Sequence, residues 1–231
     1  MLEKIKSKYF IFTVTIIFLI LVICVLSFLL YKEATKKSKN PYDIKVKSND
    51  NFVFLGDSIT DYYPLEELYD GYPVINSGVA GYTTSDILNN LDKMVPIYNP
   101  TKVFLLIGTN DIDLDKSDKY IINNIIKIIN NIKKKRPKTK IYIESIYPVN
   151  NTNDSKINHA TVGIRNNKRI IKLNKKIKAY CDKNNYTYID VYSNLVDKDG
   201  NLKIEYTEEG LHLTNLGYLK VTKILYPYLE D

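Results

Sequence analysis

Three side-chain types that acyl chemistry requires occur in short motifs far apart in this sequence. Ser58 offers a hydroxyl within the segment GDSIT, Asn110 offers an amide within GTND, and His212 offers an imidazole within GLHL. A hydroxyl becomes a nucleophile when an imidazole takes its proton, and an amide N–H stabilises the oxyanion that forms on the attacked carbonyl. Together the three groups are of the types that nucleophilic catalysis uses.

His212 is one of two histidines in the chain, and it has acidic neighbours that could orient its ring. Glu209 lies three positions earlier, close enough on a loop to stabilise an imidazolium, and the adjacent Glu208 is the alternative. His159 lies in a polar segment without such an arrangement, and we expect it at the surface. No cluster of cysteine and histidine has the spacing of metal ligands, so we expect no metal.

A fourth segment, NSGVAGYTT, places Gly78 and Gly81 in a loop. Glycine lets a backbone N–H approach a ligand without an intervening side chain, although an ordinary loop with positive φ also requires it. Taken alone, Ser58 would equally fit a helix N-cap and Asn110 a turn. The four segments therefore indicate chemistry through their combination and not singly.

Alternating apolar and amphipathic segments supply the elements that must position these motifs. This alternation predicts right-handed βαβ units with a parallel sheet covered on both faces. The segments GDSIT, NSGVAGYTT and GTND each follow a predicted strand, and GLHL precedes the last predicted helix, so the first three of these segments along the chain should meet at the carboxyl edge of the sheet. We predict strands at 52–55, 72–76, 103–107, 141–146 and 186–191, and helices at 84–94, 117–135, 164–183 and 214–229.

Along the chain the four segments occur in the order GDSIT, NSGVAGYTT, GTND and GLHL. In this order they resemble those of the SGNH (GDSL-type) hydrolase family, and the resemblance covers residues 52–229. It implies an α/β fold of three layers, αβα and flavodoxin-like, with a central parallel sheet. It implies that Ser58 is the nucleophile and His212 the general base. The oxyanion hole would consist of the Ser58 backbone N–H, the Gly81 backbone N–H and the Asn110 side chain, with Gly78 as a neighbouring loop position.

The sequence departs from the family pattern at one position. Where the family usually has an aspartate three residues before the histidine, this chain has Glu209. A Ser-His-Glu triad is chemically workable because the third member orients and stabilises the imidazole and does not accept a proton.

The resemblance implies a serine esterase without an organic cofactor, acting on a small-molecule, lipid or carbohydrate ester. We expect an O-acetyl esterase acting on envelope carbohydrate, with a lipase or lysophospholipase as the alternative. An acyltransferase using the same triad and a non-catalytic binding module are further alternatives. The aromatic segment Tyr62-Tyr63 beside the nucleophile could stack on a sugar ring or pack within the protein.

The amino-terminal segment predicts a membrane anchor. Phe10–Leu30 is a run of 21 uncharged residues, which as a helix would span roughly 30 Å, the thickness of a bilayer core. The run is longer than the apolar part of a cleavable signal peptide. We predict a basic tail at 1–9, a transmembrane anchor at 10–31, a polar linker at 32–51 and a hydrolase domain at 52–231. Lysines flank both ends of the span, but we expect the domain to lie outside the cytoplasm.

The net charge of +7 does not indicate a nucleic-acid partner. Residues 1–51 hold nine lysines and four acidic residues, so most of the excess borders the predicted span, where basic residues meet anionic lipid. The basic run at 133–136 is expected at a helix end, where cations complement the helix dipole. We therefore expect no nucleic-acid partner. The sequence indicates no particular oligomeric state.

Overall fold

A computed structural model describes residues 50–231 of the chain. The predicted tail, the predicted anchor and the predicted linker up to residue 49 lie outside the described residues. Between residues 50 and 231, no helix is both long and apolar enough to cross a bilayer.

Five parallel strands form one sheet in the order β2-β1-β3-β4-β5. This is the strand order of flavodoxin-like doubly wound sheets, and it confirms the predicted α/β class with a central parallel sheet. The order in which strands are added to the sheet reverses between β1 and β3. Such sheets bind ligands at this position, beyond the carboxyl ends of the strands. The strands are β1 (Phe52–Gly56), β2 (Val74–Gly78), β3 (Lys102–Leu106), β4 (Lys140–Glu144) and β5 (Thr187–Ile189).

The four predicted long helices are present, together with short ones that the periodicity did not predict. The short helices are α1 (Ser58–Asp61), α2 (Leu65–Leu68), α4 (Thr109–Asp113), α6 (His159–Val162) and α8 (Tyr192–Leu195). The long helices are α3 (Thr84–Met94), α5 (Asp118–Lys135), α7 (Asn167–Asn184) and α9 (Asn215–Glu230).

Several predicted boundaries differ from the observed ones by one to three residues, and hydrogen bonds explain two of these differences. The second strand begins at Val74 and not at residue 72, because the Tyr72 N–H bonds to the Tyr69 carbonyl in a turn. The helix predicted from residue 164 begins at residue 167, because the Asn166 side chain accepts a bond from the Arg169 N–H and caps it there. The apolar residue 164 continued the helical pattern but lies in the preceding loop.

The two faces of the sheet have different chemistry. One face is aliphatic and packs against α3, α5 and α7. On the other face, the ring of Phe104 stacks between those of Phe54 and Tyr142, with centroid distances of 4.6 and 4.8 Å. Helix α9 covers this aromatic face, where Tyr218 stacks on Tyr63. The aliphatic face is lined by alternate strand residues: Val53, Leu55, Val103, Leu105, Ile141 and Ile143.

Candidate active site

Ser58 is the first residue of α1, directly beyond the end of β1. The preceding Asp57 is the N-cap of this helix and accepts a hydrogen bond of 3.0 Å from the Ile59 N–H. As the first residue of a helix, Ser58 has no intrahelical acceptor for its own N–H. Its Oγ lies 2.9 Å from Nε2 of His212, a residue 154 positions away in the sequence.

His212 lies on a short loop that its own hydrogen bonds close. The Thr207 hydroxyl donates to the His212 carbonyl at 2.9 Å and accepts a bond of 2.7 Å from the Gly210 N–H. Glu209 reaches His212 twice, with one carboxylate oxygen on Nδ1 of the ring and the other on the backbone N–H at 3.2 Å. Glu208 is exposed, and only its backbone N–H bonds to His212. The structure thus places Glu209, and not the alternative Glu208, beside the imidazole.

The glycine loop follows β2 and is attached to α1. The Asp61 carboxylate accepts a hydrogen bond of 3.1 Å from the Ala80 N–H. Gly81 has φ +81°, and a Cβ added there would meet nothing within 4 Å, so this backbone faces open space. Gly78 has a different role: a Cβ there would lie 2.2 Å from the Asp61 nitrogen, so Gly78 permits α1 to pack closely on β2.

Asn110 lies in α4, after β3, and reaches the same loop. Its Nδ2 donates to the Tyr82 carbonyl at 3.0 Å, and its Oδ1 accepts a bond of 2.8 Å from the Arg165 guanidinium. The adjacent Asp111 is fully buried and accepts bonds from both the N–H and the hydroxyl of Thr84, at 2.8 and 2.6 Å. These contacts join α4 to the glycine loop and to the start of α3. Asn110 is therefore bonded to the residue that follows Gly81 in the loop.

His159 lies apart from this group, as predicted. It is exposed, and its Nδ1 bonds to the Asn151 side chain and not to any of the predicted site residues. Among residues 50–231, no group of three or more histidine, cysteine, aspartate or glutamate side chains could hold a metal ion.

Two buried carboxyl groups lie behind the site, and sequence reasoning did not single them out. Burial raises the pKa of Asp57 to about 7, a shift that the Ile59 N–H and the Arg165 charge oppose. Burial also raises the pKa of Glu144 to about 7. The Glu144 carboxylate accepts a hydrogen bond from the Tyr147 hydroxyl. The Asp57 charge adds to the shift at Glu144, so the two groups influence each other's ionisation.

The two tyrosines after α1 have different environments. Tyr63 is buried and bonds through its hydroxyl to Tyr69 and Thr222. Tyr62 is 54% exposed, and its ring lies against that of His212 with a centroid distance of 5.3 Å. Of the two interpretations of this segment, packing therefore holds for Tyr63, whereas Tyr62 presents an open aromatic face at the rim of the site.

The arrangement is suited to attack on a carbonyl. A hydroxyl contacts an imidazole, the imidazole contacts a carboxylate, and an amide donor is bonded to the glycine loop. These are the parts of a nucleophile, a general base with its orienting acid, and an oxyanion hole.

Solved structures similar to this chain share its fold. A Streptococcus pneumonia protein, whose structure is described under the name platelet activating factor, is 38% identical with a TM-score of 0.73, covering 81% of this chain and 86% of that protein. A GDSL-like lipase from Bacteroides thetaiotaomicron is 24% identical with a TM-score of 0.70, covering 80% of this chain and 90% of that protein.

Curated relatives match over part of their length. An N-acylneuraminate cytidylyltransferase from Escherichia coli O18:K1:H7 is 30% identical over 186 residues, which is 79% of this chain and 40% of that protein. The enzyme of the same name from Streptococcus agalactiae serotype V is 28% identical over 162 residues, 70% of this chain and 34% of that protein. The chain thus spans two fifths or less of the length of these relatives.

The family model of the GDSL-like lipases and acylhydrolases matches residues 54–220, which include every residue of the site described above. The match extends from the middle of β1 to the first turns of α9. The chain therefore belongs to the GDSL-like Lipase/Acylhydrolase family.

Proposed function

We propose that the chain is a serine esterase in which Ser58, His212 and Glu209 form the catalytic triad. The observation that carries this proposal is the 2.9 Å contact between Ser58 Oγ and His212 Nε2. The pair lies at the carboxyl edge of the parallel sheet, where sheets of this class bind their ligands, and the imidazole in turn contacts the Glu209 carboxylate.

The proposed reaction proceeds through an acyl-enzyme. His212 Nε2 takes the Ser58 proton as Oγ attacks the carbonyl carbon, while Glu209 holds the Nδ1–H tautomer and stabilises the imidazolium. The oxyanion accepts hydrogen bonds from the backbone N–H groups of Ser58 and Gly81 and from Asn110 Nδ2. The imidazolium then gives its proton to the leaving alcohol, and water releases the acid by the same steps in reverse order.

We propose an O-acylated carbohydrate as the substrate. The curated relatives are named for an N-acylneuraminate, a sugar acid that carries an acyl group. The exposed ring of Tyr62 beside His212 offers a flat apolar surface on which a sugar ring could stack while its ester meets Ser58. Both observations favour a sugar as the alcohol of the ester.

A lipid ester is the second candidate. Leu216 and Leu219 lie in the first turns of α9, a few residues after His212, and are 50% and 44% exposed. Exposed apolar side chains on the helix that follows His212 would suit contact with an acyl chain or a lipid surface. This candidate also agrees with the proposed membrane anchor at residues 10–31, with the hydrolase domain outside the cytoplasm. Protease treatment of intact cells tests that orientation, because only an external domain would be digested.

Activity assays on the purified protein distinguish these candidate functions. Hydrolysis of p-nitrophenyl acetate that disappears in the Ser58→Ala variant would support the triad, whereas equal rates in both proteins would exclude Ser58 as the nucleophile. A panel of O-acetylated sugars and of p-nitrophenyl esters with longer acyl chains then identifies the alcohol and the acyl group. Formation of an acylated product on an added acceptor sugar would show an acyltransferase, and binding without turnover would show a binding module.

A further inference from the structure

Arg165 is a buried cation that contacts the proposed oxyanion donor. Its side chain is 4% exposed. Nη2 donates to Asn110 Oδ1 at 2.8 Å, and Nε donates to both the carbonyl and the hydroxyl of Thr109 at 3.1 Å. Nη1 donates to the carbonyls of Thr161 and Val162, each at 3.0 Å. The guanidinium therefore binds two successive residues of α4 at once.

This contact determines which atom of the Asn110 amide faces the site. The two ends of an asparagine amide are nearly equal in shape, and a free amide can rotate to exchange them. A guanidinium carries only donors, so it accepts Oδ1 as a neighbour and repels Nδ2. With Oδ1 held by Arg165, Nδ2 must point toward the Tyr82 carbonyl and the glycine loop. A rotated amide would lose both bonds and present an acceptor to the oxyanion.

Arg165 is itself held in place by the end of α4. Asp113 Oδ1 lies 3.2 Å from Nη1 of Arg165 and also accepts a bond of 3.1 Å from the Ile164 N–H. Gly163, with φ +61°, brings this loop so close that a Cβ there would lie 1.9 Å from the same oxygen. The loop before α7 and the helix that carries Asn110 thus form one rigid unit around the guanidinium.

We propose that Arg165 is a positioning residue for ester hydrolysis, which holds the Asn110 amide with its N–H directed at the oxyanion and places a buried positive charge behind it. This inference rests on the proposed function, because it requires Asn110 to be an oxyanion donor. A charge-assisted hydrogen bond is stronger than a neutral one, and it also polarises the amide so that its N–H becomes a better donor.

A double-mutant cycle tests this role. Arg165→Met removes the guanidinium, and we expect kcat for p-nitrophenyl acetate to fall on the order of 10–100-fold with little change in KM, because a misplaced donor affects the transition state. Arg165→Lys keeps a charge but lacks the fork that binds Thr109 and Asn110 together, so it should restore only part of kcat. In an Asn110→Ala background, Arg165→Met should cause almost no further loss, since its effect passes through the missing amide.

Arg169→Met is the matched control. Arg169 lies four positions later, bonds to Asp118 and Asp115 at 3.1 and 3.2 Å, and ties α7 to the loop before α5. It should lower Tm without lowering kcat. Circular dichroism and Tm of every variant show which are folded, and Arg165→Lys replaces Arg165→Met in the cycle if the latter does not fold.

The outcomes separate the two proposals. If Asn110→Ala keeps the wild-type kcat, Asn110 is not an oxyanion donor, and the proposed oxyanion hole and the role of Arg165 are both wrong. If Asn110→Ala loses activity while the Arg165 variant keeps it, or if the two losses multiply in the double variant, the oxyanion hole stands and the positioning role is overturned. Non-additive losses with an unchanged KM support it.

Discussion

At the scale of single residues, the acid beside the imidazole is the position at which this chain departs from the usual sequence of the family. Glu209 has one methylene more than aspartate, and the loop accommodates it by directing one oxygen to the ring and the other to the backbone N–H of His212. The carboxylate therefore fixes both the ring and the main chain of the same residue.

We predict that Glu209→Gln lowers kcat by about 10³–10⁴-fold, because an amide can donate to Nδ1 and favour the tautomer that cannot take the Ser58 proton. Glu208→Gln is the control: its side chain is exposed, and its rate should stay within about twofold of the wild type. The kinetics of p-nitrophenyl acetate hydrolysis measure both. A larger loss of kcat in Glu208→Gln than in Glu209→Gln would mean that Glu208, and not Glu209, is the acid of the triad.

For the oxyanion hole, Asn110→Ala should lose on the order of 10²–10³ in kcat, the usual effect of removing one donor. The variant should keep its affinity for substrate, because the donor acts on charge that develops only in the transition state. Single-turnover and steady-state rates on the folded variant measure this loss. An unaltered rate would remove Asn110 from the oxyanion site.

Tyr62 tests the substrate class. If its open ring stacks on a sugar, Tyr62→Ala should raise KM for an O-acetylated sugar by about 2- to 10-fold, which corresponds to an aromatic contact of about 0.5–1.5 kcal/mol. The same variant should hydrolyse p-nitrophenyl butyrate normally. Tyr62→Phe is the control that keeps the ring. Equal KM values for the sugar ester in all three proteins would argue against stacking and leave the lipid ester as the better candidate.

The sequence was most informative about residues that belong to motifs. Ser58, Asn110 and His212 could be predicted because each stands after a strand or before the last helix in a recognisable segment. Arg165 could not, because its partners are backbone carbonyls, a hydroxyl, an amide oxygen and a carboxylate, all contributed by two other segments, α4 and α6. An isolated arginine in a polar stretch has no local pattern that distinguishes a buried position from an exposed one.

At the scale of elements, periodicity predicted the long helices well because each has a wide apolar stripe and a polar cap. Ser117 and Thr214 cap α5 and α9 through their side chains, so those helices begin one residue inside the predicted ranges. The short helices α1 and α4, which carry Ser58 and Asn110, were not predicted. A single turn has too few residues to show a period, and its existence depends on tertiary hydrogen bonds such as those of Asp111.

The loop before α7 gives a prediction at this scale. Gly163→Ala combines a positive φ with a Cβ 1.9 Å from Asp113 Oδ1, so it should destabilise the fold by roughly 1–3 kcal/mol and lower kcat by displacing Arg165. Gly200→Ala is the matched control: φ is +82°, but a Cβ there meets nothing within 4 Å. Its cost should come from the backbone alone, with kcat unchanged. Urea unfolding and kcat measure both, and a Gly163→Ala enzyme with full kcat would contradict the coupling.

At the scale of the whole molecule, the two faces of the sheet pack against different helices with different kinds of side chain. The aliphatic face packs against the three connecting helices. The aromatic face packs against α9 and encloses Glu144, whose partner is Tyr147. The alternation of side chains along β1, with Phe52 and Phe54 on one face and Val53 and Leu55 on the other, is visible in the sequence. What the sequence could not show is that a carboxyl group would be buried with the rings, because a single glutamate in the predicted strand 141–146 has no pattern that distinguishes a buried from an exposed position.

That buried carboxyl predicts how stability depends on pH. Glu144 has a pKa of about 7 in the folded chain against an ordinary value of 4.5, with burial as the main cause. Between these values the folded state holds a proton that the unfolded state has released, so the free energy of unfolding falls as pH rises through this window and levels off above about 7. The slope approaches about 1.4 kcal/mol per pH unit.

Glu144→Gln keeps an acceptor for the Tyr147 hydroxyl but cannot ionise. Between pH 5 and pH 8, the free energy of unfolding should therefore decrease by about 2 kcal/mol less in this variant than in the wild type. Glu66→Gln, at an exposed position on α2, controls for the loss of one charge and should follow the wild-type profile. Asp57 titrates in the same range, so some pH dependence should remain in Glu144→Gln. Urea unfolding at the two pH values measures these differences. Parallel profiles for wild type and Glu144→Gln would mean that Glu144 is ionised throughout, and that the aromatic face of the sheet tolerates a buried negative charge close to the nucleophile.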